Sequence, residues 1–151
     1  MFDRFGAPAR DVMRASREEA GRLGHDFIAP AHVLIALLAD AKGVPAKALE
    51  NLHLDPAAVA ARIRERVPHG PPGDGTRPLP FTPGAKRLLE AALEEAQRFG
   101  HDRIGTEHLF LGALRADDAD FLGDHVARAF DQEGVKTFEA RAETIRLLEA
   151  R

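Results

Sequence analysis

The sequence contains no cysteine. That absence removes a disulfide framework, a thiolate nucleophile and thiolate-bound metal together, and it fits a reducing cytoplasm. Serine occurs once, at Ser16, on what its surroundings make the apolar face of a helix, whereas a nucleophile needs an exposed turn beside a base. Long hydrophobic runs are missing too: Val33 to Ala39 is far short of the roughly 20 apolar residues that cross a bilayer. The opening Met1-Phe2-Asp3-Arg4-Phe5 lacks the apolar core of a signal peptide, so the expected location is cytoplasmic, with no membrane partner. There is no Gly-x-x-x-x-Gly-Lys-Ser/Thr phosphate loop, so nucleotide cannot be held by that means and no cofactor is expected. Neither charge sign dominates. The 21 Lys and Arg and the 24 Asp and Glu interleave to a formal charge of −3, leaving no basic stripe for a nucleic-acid backbone.

What the chain does have is enough apolar material for one ordinary core, 44% hydrophobic residues in 151, and a repeat. Gly24-His25-Asp26-Phe27-Ile28 returns as Gly100-His101-Asp102-Arg103-Ile104, an offset of 76 residues. The same offset sets Phe5 on Phe81, Ala9 on Ala85, Val12 on Leu88, Met13 on Leu89, Glu18-Glu19 on Glu94-Glu95, Ala20 on Ala96 and His32 on His108. One lag across so many positions marks a duplicated unit. Residues 67–80 are rich in Pro and Gly, which forbid a helix and offer nothing to a sheet ladder, so they read as a linker.

Ala9, Val12, Met13, Ser16, Ala20 and Leu23 recur at the spacing of one helical face, and Ala85, Leu88, Leu89, Ala92, Ala96 and Phe99 repeat the pattern. Thr82 is the expected cap of that later helix, with Pro83 at its first position. The runs Val33 to Leu38 and Leu109 to Leu114 are apolar nearly all round, as for a helix at the centre of each half, with a buried strand as the rival reading. Pro30 at a favourable first position marks the start of one, and Thr106 is the candidate cap of the other. Further helices are expected over Pro45 to Asn51, Asp55 to Arg66, Asp118 to Gln132 and Val135 to Ala150. The fold class is therefore all-α, one domain over 1–151: a pseudo-twofold double repeat of four-helix units, about eight helices, with repeat one at 1–66, linker 67–80 and repeat two at 81–151.

Met1-Phe2-Asp3-Arg4-Phe5, Pro80-Phe81-Thr82-Pro83-Gly84-Ala85-Lys86 and Gly100-His101-Asp102-Arg103-Ile104-Gly105-Thr106-Glu107-His108-Leu109 resemble the paired signatures of the N-terminal domain of Clp unfoldases, most closely the ClpC type. The resemblance covers essentially the whole chain. It implies a protein-binding module that receives client proteins or adaptors for a Clp ATPase ring, here either an excised domain or a free-standing homologue. It also implies phosphoarginine pockets made by a Thr at a first helix start and a Glu at a second. Thr82 and Glu107 hold those positions in the second repeat, while Gly6 and Ala31 stand at them in the first and supply neither group. Related domains bind cyclic peptide antibiotics nearby, which carries over to Phe2, Pro80, Phe81 and Lys86. The alternative function is then a stand-alone decoy that sequesters such peptides.

Plainer roles stand beside these. Thr82 serves as a helix cap in any case, and Glu107 complements a helix dipole. His25, His32, His101 and His108 lack the spacing to carboxylates that helical metal sites use; no metal is expected, and His32 and His108 read as helix-start residues tying the loop backbone. Glu18-Glu19 and Glu94-Glu95 read as solvent-face carboxylates among arginines, and no catalytic residue is expected. Two bundles leaning together should shape a recessed, mildly acidic docking surface.

Overall fold

The structure, a computed structural model, describes residues 2–73, 75–115 and 125–150, apart from the side chains of Phe2 and residues 125–127. Among the described residues a 3-10 turn, Phe2–Arg4, precedes α1 (Ala7–Arg22), α2 (Pro30–Ala39), α3 (Val44–Asn51), α4 (Pro56–Arg66), α5 (Pro83–Arg98), α6 (Thr106–Arg115), α7 (His125–Gln132) and α8 (Thr137–Glu149). There is no β-strand among them, only two isolated bridges, and the apolar runs that also admitted a buried strand are the helices α2 and α6. The expected start of the seventh helix at Asp118, and the stretch Phe121 to Asp124, lie outside the described residues.

Local chemistry sets the ends of these helices. At the start of α5 the Thr82 hydroxyl accepts from the Ala85 N–H at 3.1 Å, and at α4 the Asp55 carboxylate accepts from Ala57 N–H at 3.0 Å, each followed by Pro at the first helical position. Thr106 was expected as the cap of α6 and is instead its first residue. The orphan amide of Gly105 there is satisfied from inside the helix, by His108. Beyond the ends of α1 and α5 the chain turns through Gly24 at φ 78° and Gly100 at φ 69°, a left-handed conformation that glycine adopts without strain. This is why the two signature motifs begin with that residue.

Every residue of α2 from Pro30 to Leu38 is buried, as is α6 from Thr106 to Ala113. These two helices touch each other, and each packs on the first helix of its own half. Fully burying Leu34, Ile35 or Leu37 contributes about 1.5–3 kcal/mol apiece. Crossed contacts then bind the halves: α3 packs on α6 and α8, and α4 on α7. One hydrophobic cluster runs from Phe5 through Leu34 and Leu49 to Phe110, Phe130 and Ala140. At the surface Arg62 pairs with Glu133 at 2.6 Å and Asn51 donates to Glu143 at 2.9 Å, both across the halves.

The carboxylate pairs do not both face solvent. Glu19 and Glu95 are buried while Glu18 and Glu94 are not. Glu19 accepts from Arg64 at 2.6 Å and Arg22 at 2.5 Å; Glu95 accepts from Arg141 at 2.8 Å and Arg115 at 3.2 Å. Burial pushes both carboxyls up, yet the arginines hold them below the usual range. The pattern could not show this, because α1 and α5 meet the arginines of α4, α6 and α8 only in three dimensions. Ser16, by contrast, is buried as expected and donates to Val12 O at 2.8 Å.

Linker residues lie along the end of α1: Gly70 N–H donates to Leu23 O and Gly73 N–H to Gly21 O, both at 2.8 Å. No helix among the described residues is long and apolar enough to cross a membrane.

Candidate functional site

Each half carries the same imidazole relay. Ala29 N–H donates to His32 Nδ1 at 2.9 Å, His32 Nε2 faces His25 Nδ1 at 2.7 Å, and His25 Nε2 faces the Pro68 carbonyl at 2.6 Å. An amide can only donate and a carbonyl only accept, so both ring tautomers follow: His32 and His25 each carry the proton on Nε2. In the second half Gly105 N–H donates to His108 Nδ1 at 2.8 Å, and His108 Nε2 meets His101 Nδ1 at 2.8 Å. The relay thus ties each second-helix start to the preceding loop, and in the first half it also pins the linker. These nitrogens are engaged with one another and with the backbone, and no group of three metal-ligating side chains occurs among the described residues.

The two isolated bridges cross between repeats. Phe5 pairs with Ile104 and Ile28 with Phe81, and the offset of 76 turns one bridge into the other. Around them Gly6 N–H donates to Ile104 O and Thr82 N–H to Ile28 O, both at 3.0 Å. The start of α6, with Glu107, therefore adjoins the start of α1 at Gly6, and the start of α5, with Thr82, adjoins Ile28 and the start of α2. The two candidate groups fall at two different junctions: Glu107 is on the side of Gly6, the first-repeat equivalent of Thr82, and Thr82 is on the side of Ala31, the equivalent of Glu107. Glu107 is buried, with its carboxylate folded back so that a β-carbon at Gly105 would overlap Oε1. The equivalent of Gly105 is Ala29 and that of Glu107 is Ala31: where the carboxylate is gone, so is the glycine that makes room for it.

Two clefts flank these junctions. One, of about 360 Å³, has a floor of Met13, Ile28, Leu79 and Phe81 under Arg10, Arg14 and Arg17 of α1. The other, of about 400 Å³, has Phe5, Leu89, Leu93 and Ile104 beside Asp3, Arg4 and Glu90. Phe81 is half-buried, Pro80 and Lys86 are exposed, and the side chain of Phe2 lies outside the described ones. A mildly acidic surface was expected, but the α1 cleft has three arginines and no carboxylate in its lining. Sequence reading passed over this row; its signal was the spacing i, i+4, i+7 on one helical face, at positions where the second repeat has Lys86, Glu90 and Leu93.

A sequence profile of the family described as the Clp repeat (R) N-terminal domain matches residues 4–124. The chain is similar to the ATP-dependent Clp protease ATP-binding subunit ClpA homolog of Guillardia theta, with 36% identity over 148 residues, 98% of this chain and 17% of that protein. The chloroplastic chaperone protein ClpC2 of Arabidopsis thaliana is also 36% identical over 148 residues, 98% of this chain and 15% of its own length. For the chaperone protein ClpB of Oceanobacillus iheyensis the identity is 34%, over 98% of this chain and 17% of that one. The chain spans about a sixth of these relatives. In three dimensions it is similar to the N-terminal domain of the caseinolytic protease associated chaperone ClpD from Arabidopsis thaliana (TM-score 0.75, 21% identity, 99% of this chain and 97% of that chain). It is also similar to the Hsp104 N-terminal domain from Candida albicans (TM-score 0.78, 16% identity, 97% and 93%), and at these identities the likeness is one of fold. By profile and by sequence identity alike, the chain belongs to the Clp repeat N-terminal domain family.

Proposed function

We propose that this chain is a non-catalytic recognition module that docks client proteins or adaptors for the ATPase modules of a Clp unfoldase. The observation that carries the reading is the duplicated cleft: an apolar floor under charged rims, formed twice beside the crossed helix starts, is the anatomy of a protein-docking surface. A finer reading is phosphoarginine recognition. The first-turn amides of α5 with Thr82 suit a phosphate, and Glu107 suits a guanidinium. Because these groups belong to separate junctions, each site holds one of the two contacts, and the avidity of two complete pockets is lost. Calorimetric titration of a phosphoarginine peptide is expected to give weak binding that Glu107→Ala abolishes. No heat at millimolar peptide, or an unchanged isotherm for the variant, would remove the phosphoarginine reading.

Phe81 in the lining of the α1 cleft, with Pro80 and Lys86 exposed near it in the chain, favours a second reading, the sequestration of cyclic peptide antibiotics. Phe81→Ala should weaken such a peptide's binding without affecting the Glu107 site.

A further inference from the structure

The offset of 76 residues matches the two clefts position by position: Met13 with Leu89, Ile28 with Ile104, and Phe81 with Phe5. These three floor positions are alike, but elsewhere the linings differ: Leu79 of the α1 cleft corresponds to Asp3 of the α5 cleft. Where the α5 cleft has Glu90 and Leu93, the α1 cleft has Arg14 and Arg17, with Arg10 one turn before them. Like charges at this spacing destabilise a helix, and the ion pair of Arg14 with Asp11 within α1 offsets this for only one of the three. Arg10 and Arg14 are exposed and Arg17 is half-buried. Arg14 is paired with Asp11 on open surface at 2.9 Å, while Arg17 Nε is shielded from water with no hydrogen-bond partner. The row is thus a set of cationic donors set over an apolar floor, with the Arg17 Nε left without a hydrogen-bond partner inside the chain.

We infer that the α1 cleft docks an acidic linear segment of a partner protein. Apolar side chains of the segment rest on Met13, Ile28 and Leu79, and flanking carboxylates meet the arginines, whose guanidiniums bind carboxylates in paired hydrogen bonds. Charge complementarity selects an acidic segment over a neutral or basic one and speeds its encounter. The inference rests on the docking reading and narrows it to one cleft and one partner chemistry. It also gives the pseudo-symmetric clefts different preferences, since the α5 cleft sets Asp3 and Glu90 against the single cation Arg4 and does not favour the same segment.

The test uses the whole chain and labelled synthetic peptides in which Leu and Phe alternate with Glu, followed by fluorescence anisotropy. Saturable binding is expected, weakened at least about tenfold when the peptide's Glu residues become Gln and when salt rises from about 50 to about 500 mM. Arg10→Gln with Arg17→Gln, which keeps helix-forming side chains at both positions, is expected to weaken it by a similar factor while the thermal melt stays unchanged. Arg10→Gln alone, at an exposed position, gives a smaller loss in the same direction and guards against a folding defect in the pair. Equal affinity of the Glu and Gln peptides, equal affinity of wild type and double variant, or no binding of the Glu peptides would each overturn the inference. Glu107→Ala leaves this binding intact, so loss of the phosphoarginine site and loss of the acidic-segment site are read separately.

Discussion

At the scale of single residues, His32 converts burial into a pH dependence. Burial, and then the neighbouring His25, push its pKa from 6.5 down to about 3, and the Ala29 amide occupies the nitrogen that a second proton would need. The unfolded chain takes up that proton near pH 6.5 and the folded chain does not, so the unfolded state binds more protons between these values. Stability is accordingly full above pH 6.5 and falls on acidification, by about 2 kcal/mol for this residue at about pH 5. Urea unfolding at pH 7.5 and at about pH 5 should show that loss, and His32→Gln, less stable at neutral pH, should lose the part of the slope that His32 supplies. Equal wild-type stability at both pH values would contradict the relay as described. The sequence made the histidine pairs visible through the repeat and placed His32 and His108 at helix starts. It could not show the rings joined to each other, because a loop of unspecified path separates them in the chain.

At the scale of elements, the informative feature is how helix starts pair. A duplicated sequence is satisfied equally by Phe5 meeting Ile28 within one repeat or Ile104 in the other, since the offset maps either arrangement onto itself. The structure takes the crossed arrangement, with α2 packed against α6, and no periodicity encodes that. The helices themselves were legible, their caps and glycine stops being local chemistry, and so were Thr82 and Glu107 as candidates. Their division between two junctions was not. That division can be tested by rebuilding each lost half. Gly6 has extended backbone at the cap of α1, and a β-carbon there would approach no closer than 3.7 Å to Ile104 O, so Gly6→Thr fits. It should add a few tenths of a kcal/mol of stability and, on the phosphoarginine reading proposed above, tighten that ligand's binding at Glu107. At the other junction Ala31→Glu alone should be destabilising, because the Ala29 methyl occupies the first-repeat equivalent of the space that Glu107 fills over Gly105. Ala29→Gly together with Ala31→Glu should recover stability and give Thr82 a carboxylate partner. A thermodynamic cycle of these variants reads the coupling directly, and additive effects would sink the argument.

At the scale of the whole molecule, the division into 1–66, 67–80 and 81–151 is a division of sequence rather than of cores. Each half alone would expose the surfaces of α2 and α6 that meet, and α3 and α4 would lose α8 and α7. The buried cluster that holds Leu34 also holds Phe110 and Phe130, so neither half has a core it can close by itself. The linker adds to this: Gly70 and Gly73 are hydrogen-bonded to the end of α1 and Pro68 to His25, while Pro80 O accepts from Ile28 N–H at 2.8 Å. It behaves as a strap on the first repeat that delivers Phe81 to its bridge. Two consequences follow for unfolding. The intact chain should lose helical circular dichroism and amide protection in one cooperative transition, with the same midpoint for probes in either half. Separate fragments 1–80 and 81–151 should each be largely unfolded, and mixing them should restore helicity, because the crossed bridges and the α2–α6 contact do not need a covalent link to form. Two separated transitions in the intact chain, or a fragment that folds cooperatively by itself, would show that the repeats own independent cores and that the clefts between them are surfaces of docked domains instead of parts of one.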